Sequence, residues 1–194
     1  MTEAASIPSL AESYIEVLKD EHRHMAWLLS CLEAVSEQLL ETGDVDIERL
    51  DDIMQYVAHY PDLFHHPREE VLFRQLRRVN PRFSDQINHA TREHREMTQM
   101  SGKIDAMVKS IEAGELVETK QLVVRVREYV ALVRRHMARE EKELFEPALE
   151  RLSDESWAEV LEEFSESQTH APPDGELQHS YDRLYAEVVG EERG

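Results

Sequence analysis

The placement of the histidines limits most strongly what this chain can fold into. The 194 residues include 10 histidines, and most fall in four short clusters. Each cluster lies in or beside an apolar stripe of helical period. Apolar residues spaced three and four apart specify a helix that must bury that face. In the first stretch the stripe is Ile15, Leu18, Met25, Leu29 and Leu32, with His22 in its middle. The second carries Ile47, Leu50, Ile53, Met54 and Val57 and runs on through His65 and His66. The third reads Ile87, His94, Met97, Ile104, Val108, and the fourth Leu122, Val126, Tyr129, Val133, His136, Leu144. Helices that pack these stripes together also pack the histidines together.

Local signals set the boundaries. The first helix is expected from about Leu10 to Leu40, closed by Gly43. Asp46 is the expected cap of the second, which continues to about Val79. Pro61 and Pro67 lie inside it; each lacks an amide donor and crowds the preceding turn, so a kink or bulge is expected. Asn80-Pro81 starts the third helix, and Gly114 closes it. The fourth is expected from about Val117 to Leu152. Ser153-Asp154 caps a shorter helix around Trp157, Val160, Leu161 and Phe164. Ser165 to Gly175 reads as a loop, and Glu176 to Val189 as a last short helix. No run of alternating β-branched residues predicts a strand.

The pattern predicts an all-α protein: an up-down-up-down antiparallel four-helix bundle with one or two short extra C-terminal helices. Residues 1–9 are expected as a flexible tail, 10–152 as the bundle, and 153–194 as short helices and tail packing on it. No sequence repeat is expected beyond the alternation of helix and loop. The formal net charge of -19 repels DNA and anionic lipid, which excludes nucleic acid and membrane as partners. No apolar run approaches the roughly 20 residues that span a bilayer. The start has no secretory pattern, and Cys31, the single cysteine, allows no internal disulfide, so the cytoplasm is the expected compartment.

The second and fourth helices pair histidine with glutamate at i+4, a spacing that puts both on one face. The pairs are His65 with Glu69, overlapping His66 with Glu70, and His136 with Glu140. His65 and Glu69 share the stripe of Leu72, Leu76 and Val79. His66 and Glu70 share a face with Phe73 and Arg77. The first pair is therefore expected inward. The same phase argument selects His22 over His24 and His94 over His89. The candidate ligand set is His22, His65, Glu69, His94, His136 and Glu140, with His66, Glu70, His89 and Glu141 as second choices. Burying these groups unpartnered costs several kcal/mol, which a shared metal relieves. Imidazole with carboxylate suits iron, manganese or zinc better than magnesium or calcium.

Four segments resemble the hemerythrin-like, or HHE cation-binding, family: Asp-Glu-His22-Arg; Tyr60-Pro-Asp-Leu-Phe-His-His-Pro-Arg-Glu-Glu-Val-Leu-Phe73; Glu93-His94; and His136-Met-Ala-Arg-Glu-Glu-Lys-Glu-Leu-Phe-Glu-Pro147. The resemblance is greatest to a bacterial subgroup with a His-His-Pro-Arg-Glu signature. It implies a non-haem centre of two iron ions, bridged by carboxylate and oxo or hydroxo groups, with manganese or zinc as substitutes. It also implies a small-molecule partner such as oxygen, peroxide or nitric oxide. Oxygen carriers of the family place two histidines four apart on the third helix and an aspartate five residues after the fourth-helix histidine. Here only His94 fits the first pattern, and Glu140 stands four residues after His136. One imidazole is missing or replaced, which favours reactive chemistry or exchange over simple oxygen carriage.

Three functions compete at this point. The first is a di-iron protein that binds or reacts with a small oxidant, including catalase-like turnover. The second is an iron store or sensor without turnover. The third is a metal-free structural bundle, which leaves four inward histidines unexplained. An open position lined by Tyr or Met favours the first over the second. The sequence sets no oligomeric state.

Overall fold

The computed structural model describes residues 7–44 and 46–169. All regular structure among them is helical. The first rod is α1 (Ile7–Thr42), which starts a little before the apolar pattern does. The second rod is α2 (Ile47–Tyr60) and α3 (His66–Val79), joined through a π-helical turn at Pro61–His65. After a 3-10 turn at Pro81–Phe83 comes the third rod, α4 (Ser84–Glu112). The fourth is α5 (Thr119–Glu140), a second π-helical turn at Glu141–Phe145, and α6 (Glu146–Arg151). A further helix, α7 (Asp154–Thr169), packs on α1 and α3.

The caps follow the sequence. Asp46 accepts the amide of Arg49, and Asn80 accepts that of Arg82. Gly43 and Gly114 adopt φ of 71° and 75°, the left-handed geometry of helix ends. The rods form a ring in chain order, each packing on the next and the fourth on the first. Side-chain bonds fix their directions. Tyr14 and His22 of α1 reach Arg68 and His65, while His22 and Glu37 reach Glu141 and Arg127. Gln55 and Asp62 reach Asp105 and Thr98. Neighbouring rods are thus antiparallel, in the predicted up-down-up-down order.

The expected bulge takes a specific form, and it occurs twice. Pro61 has no amide to offer the carbonyl of Val57; the Tyr129 hydroxyl donates to that carbonyl instead, at 2.9 Å. The backbone then widens to i+5 bonding: the His66 amide donates to the Pro61 carbonyl, and the Glu146 amide to the Glu141 carbonyl. In both rods a proline, Pro67 or Pro147, follows the widened turn. Its ring would clash with the carbonyl four residues back in a regular helix.

Two apolar cores fill the bundle. One gathers Leu28, Leu32, Leu50, Ile53, Val108, Leu122 and Val126. The other gathers Ile15, Leu18, Leu72, Leu76, Phe145, Ala148, Trp157 and Val160. A belt of buried histidine and carboxylate lies between Leu18 and Met25 on α1, and so between the cores.

Three details differ from the sequence expectation. Phe73, placed on the outward face, is buried in the second core, on the flank of α3 that it shares with His66, whose ring stacks on His94 of α4. Val79, counted in the inward stripe, is 45 % exposed at the rod's end. Ser165 to Thr169, read as loop, continue α7. The expected helix from Glu176 to Val189, with His170 and His179, lies outside the described residues.

Candidate metal centre

The buried belt brings together the six candidate ligands from all four rods. His22, His65, Glu69 and Glu140 place one ligand atom each within 4.8 Å of one another, and His66, His94 and His136 form a second such group. The Nε2 atoms of His22 and His65 are 3.0 Å apart, as are those of His94 and His136. Each glutamate lies between imidazoles of different rods. Glu69 Oε1 is 3.2 Å from His65 Nε2, and its Oε2 is 3.5 Å from His94 Nε2. Glu140 Oε1 is 3.2 Å from His94 Nε2, and its Oε2 is 3.0 Å from His136 Nε2 and 3.6 Å from His22 Nε2.

This arrangement fits a cation on its own chemistry. The Nδ1 of His22 faces Glu141 Oε1 at 2.9 Å, and that of His65 faces Glu21 Oε2 at 2.8 Å. An ionised carboxylate only accepts, so both Nδ1 atoms carry hydrogen. In the neutral rings both Nε2 atoms then present lone pairs to each other across 3.0 Å. With the rings neutral, both oxygens of Glu69 and Oε2 of Glu140 are likewise buried without a hydrogen-bond donor. Bare lone pairs and orphaned carboxylate oxygens converging on one dry volume cost several kcal/mol per ion, unless a proton or metal lies among them.

The titration behaviour agrees. Burial pushes the Glu69 carboxyl up, but the charge of His65 and bonds from His22 and His65 outweigh it and hold the group well below the carboxylate range. Burial and the Glu69 charge push Glu140 up, yet His136 and His94 bring it down on balance. Burial lowers His136, but Glu140, Glu93 and Glu69 more than reverse this and lift it to about 10. His65 is raised for the same reason, chiefly by Glu69 against burial. Without metal, the belt therefore holds protons on its imidazoles.

The second-choice residues fall into different places. His66 stacks on His94 with centroids 3.7 Å apart and bonds Asp62 Oδ1 through Nδ1 at 2.8 Å. Burial lowers its pKa, against the pull of Asp62. Glu141 meets the far nitrogen of His22 rather than the interior. His89 turns away, 41 % exposed, to Glu93. Glu70 is exposed.

Four residues were missed from sequence: Glu21, Arg68, Glu93 and Arg139. Glu21 accepts from His65 Nδ1, the Tyr60 hydroxyl and Arg68. Glu93 accepts from His136 Nδ1 at 3.0 Å and pairs with Arg139 at 2.7 Å. Burial pushes Glu93 up, but the His136 and Arg139 bonds bring it to about 2. The signal was an internal repeat, contrary to the expectation of none. Glu21-His22-Arg23-x-Met25 on the first rod matches Glu93-His94-Arg95-x-Met97 on the third. His65-x-x-Arg68-Glu69-Glu70 on the second matches His136-x-x-Arg139-Glu140-Glu141 on the fourth.

The two halves differ in their surroundings. Phe145 stacks on His22 at 5.5 Å and closes that side. His94 and His66 instead border a surface cleft with Asp62, Glu70, Thr91, Arg95 and Thr98. Beside the belt, toward the first core, Met25, Leu29, Val57, Met97, Tyr129, Val133 and Met137 line a small apolar cavity that His22, His65, His66 and His136 also border.

No helix among the described residues is long and apolar enough to cross a membrane. The family model described as the hemerythrin HHE cation binding domain matches residues 13–148, more than half of the chain. No curated protein and no solved structure matches it.

Proposed function

As the chain belongs to the hemerythrin HHE cation-binding domain family, we propose that it holds two iron ions in the belt and reacts there with a small oxidant such as oxygen or peroxide. His22 and His65 would serve one ion, and His94 and His136 the other, with Glu69 and Glu140 spanning both. Manganese or zinc would fit the same donors. Iron supplies the electron-transfer chemistry when bound. The chain's own residues position and desolvate it: the cores exclude bulk water, and carboxylates at Nδ1 of His22, His65 and His136 keep their Nε2 lone pairs inward.

The observation that carries this reading is the cavity. Storage or sensing needs only the donors. Here an apolar space walled by three methionines and Tyr129 adjoins three of the six candidate ligands. Such a space admits a small neutral molecule and disfavours an anion or bulk water. The test is oxygen evolution from peroxide, and reoxidation by dissolved oxygen, measured on the iron-loaded protein. Turnover well above that of free iron supports the reading. Stable iron binding without any turnover moves the assignment to storage or sensing.

A further inference from the structure

Two buried carboxylates outside the candidate ligand set repeat with the internal symmetry. Glu21 from the first rod reaches His65 on the second, and Glu93 from the third reaches His136 on the fourth, at 2.8 and 3.0 Å. Both are nine-tenths buried, at 6 % and 8 % exposure. Each is gripped by the arginine three residues after the histidine it serves, Arg68 or Arg139. A plain salt bridge would not need a histidine as third member in both halves. Nor would it need the carboxylate to cross between rods to reach it.

We infer that Glu21 and Glu93 are matched positioning residues that fix the tautomers of His65 and His136 and set the redox potential of the iron pair. This rests on the proposed di-iron site. A carboxylate accepting Nδ1–H orients the ring and gives it imidazolate character, which makes Nε2 a stronger donor. A stronger anionic donor favours the ferric over the ferrous ion and so lowers the potential. The guanidinium opposes this by withdrawing charge from the carboxylate. Each half therefore carries a setting of two opposed charges, and the repeat makes the two settings alike.

The test uses the full chain, reconstituted with ferrous iron alone, and reads iron affinity and the ferric/ferrous midpoint potential by spectroelectrochemical titration. Glu21→Gln and Glu93→Gln should each weaken iron binding roughly 10- to 100-fold and move the midpoint upward by similar amounts. Arg68→Gln and Arg139→Gln should move it downward, since the carboxylate charge is then uncompensated. Glu96→Gln, on the exposed face of α4, should change neither. Opposite signs for the glutamate and arginine variants support the inference, because lost packing alone would shift both the same way. Unchanged affinity and potential in both glutamate variants would overturn it. If the glutamate variants do not fold, the arginine variants decide: no shift, or an upward one, overturns the inference. A wild-type chain that takes up no iron fails the proposed function first, before any variant is compared.

Discussion

Removing the metal should make the protein's stability fall as pH rises. In the metal-free chain, His136 is raised from 6.5 to about 10 because its partners favour the charged ring despite burial. A folded-state value above the unfolded one adds stability that is complete below the unfolded value and is lost as pH climbs through the folded one. Between about pH 6 and about pH 9, linkage gives a loss of at most about 3 kcal/mol from this residue. His65 is shifted the same way and adds to the effect. For a domain of this size the loss corresponds to roughly 6–12 °C in Tm. The assay is denaturant unfolding and thermal melting of chelator-treated protein at both pH values, beside the metal-loaded form. The loaded form should reverse the trend, because ligands must shed protons to bind and affinity rises with pH. A metal-free protein as stable at about pH 9 as at about pH 6, with ordinary deprotonation of His136 seen by NMR, would refute the proton-holding belt.

Three further outcomes are expected. His136→Ala should abolish most metal uptake while His89→Ala leaves it near wild type; equal losses, measured by elemental analysis, would break the ligand assignment. Phe145→Ala should cost about 3–5 kcal/mol in denaturant unfolding, as Phe145 is fully buried and stacked on His22. Met137→Phe should fill the cavity beside His136, slowing reaction with peroxide at unchanged iron content, with an overpacking cost of about 1–3 kcal/mol.

Much of this site was legible because helical phase is a local property. His22 follows Leu18 by four residues and precedes Met25 by three, so burying the stripe buries the imidazole. The same counting turned His89 outward and His65 inward. What escaped were interactions between rods. Glu21 and Glu93 directly precede His22 and His94, off the stripe's centre, and each serves a histidine on the neighbouring rod. No periodicity within one helix reports that; only the paired Glu-His-Arg and His-x-x-Arg-Glu-Glu segments do. Phe73 was misplaced because the flank of α3 that it shares with His66 packs toward α4, so the buried face is wider than the stripe of His65, Leu72 and Leu76. Proline chemistry predicted a disturbed turn, but the Tyr129 hydroxyl that satisfies the Val57 carbonyl comes from α5, across the core.

The proposed centre has six side chains from four rods holding a pair of iron ions. Elemental analysis of aerobically purified protein, paired with its near-ultraviolet spectrum, tests it most directly. About two iron ions per chain and the absorption of an oxo-bridged ferric pair are expected. A folded, colourless and metal-free protein from iron-rich growth would contradict it.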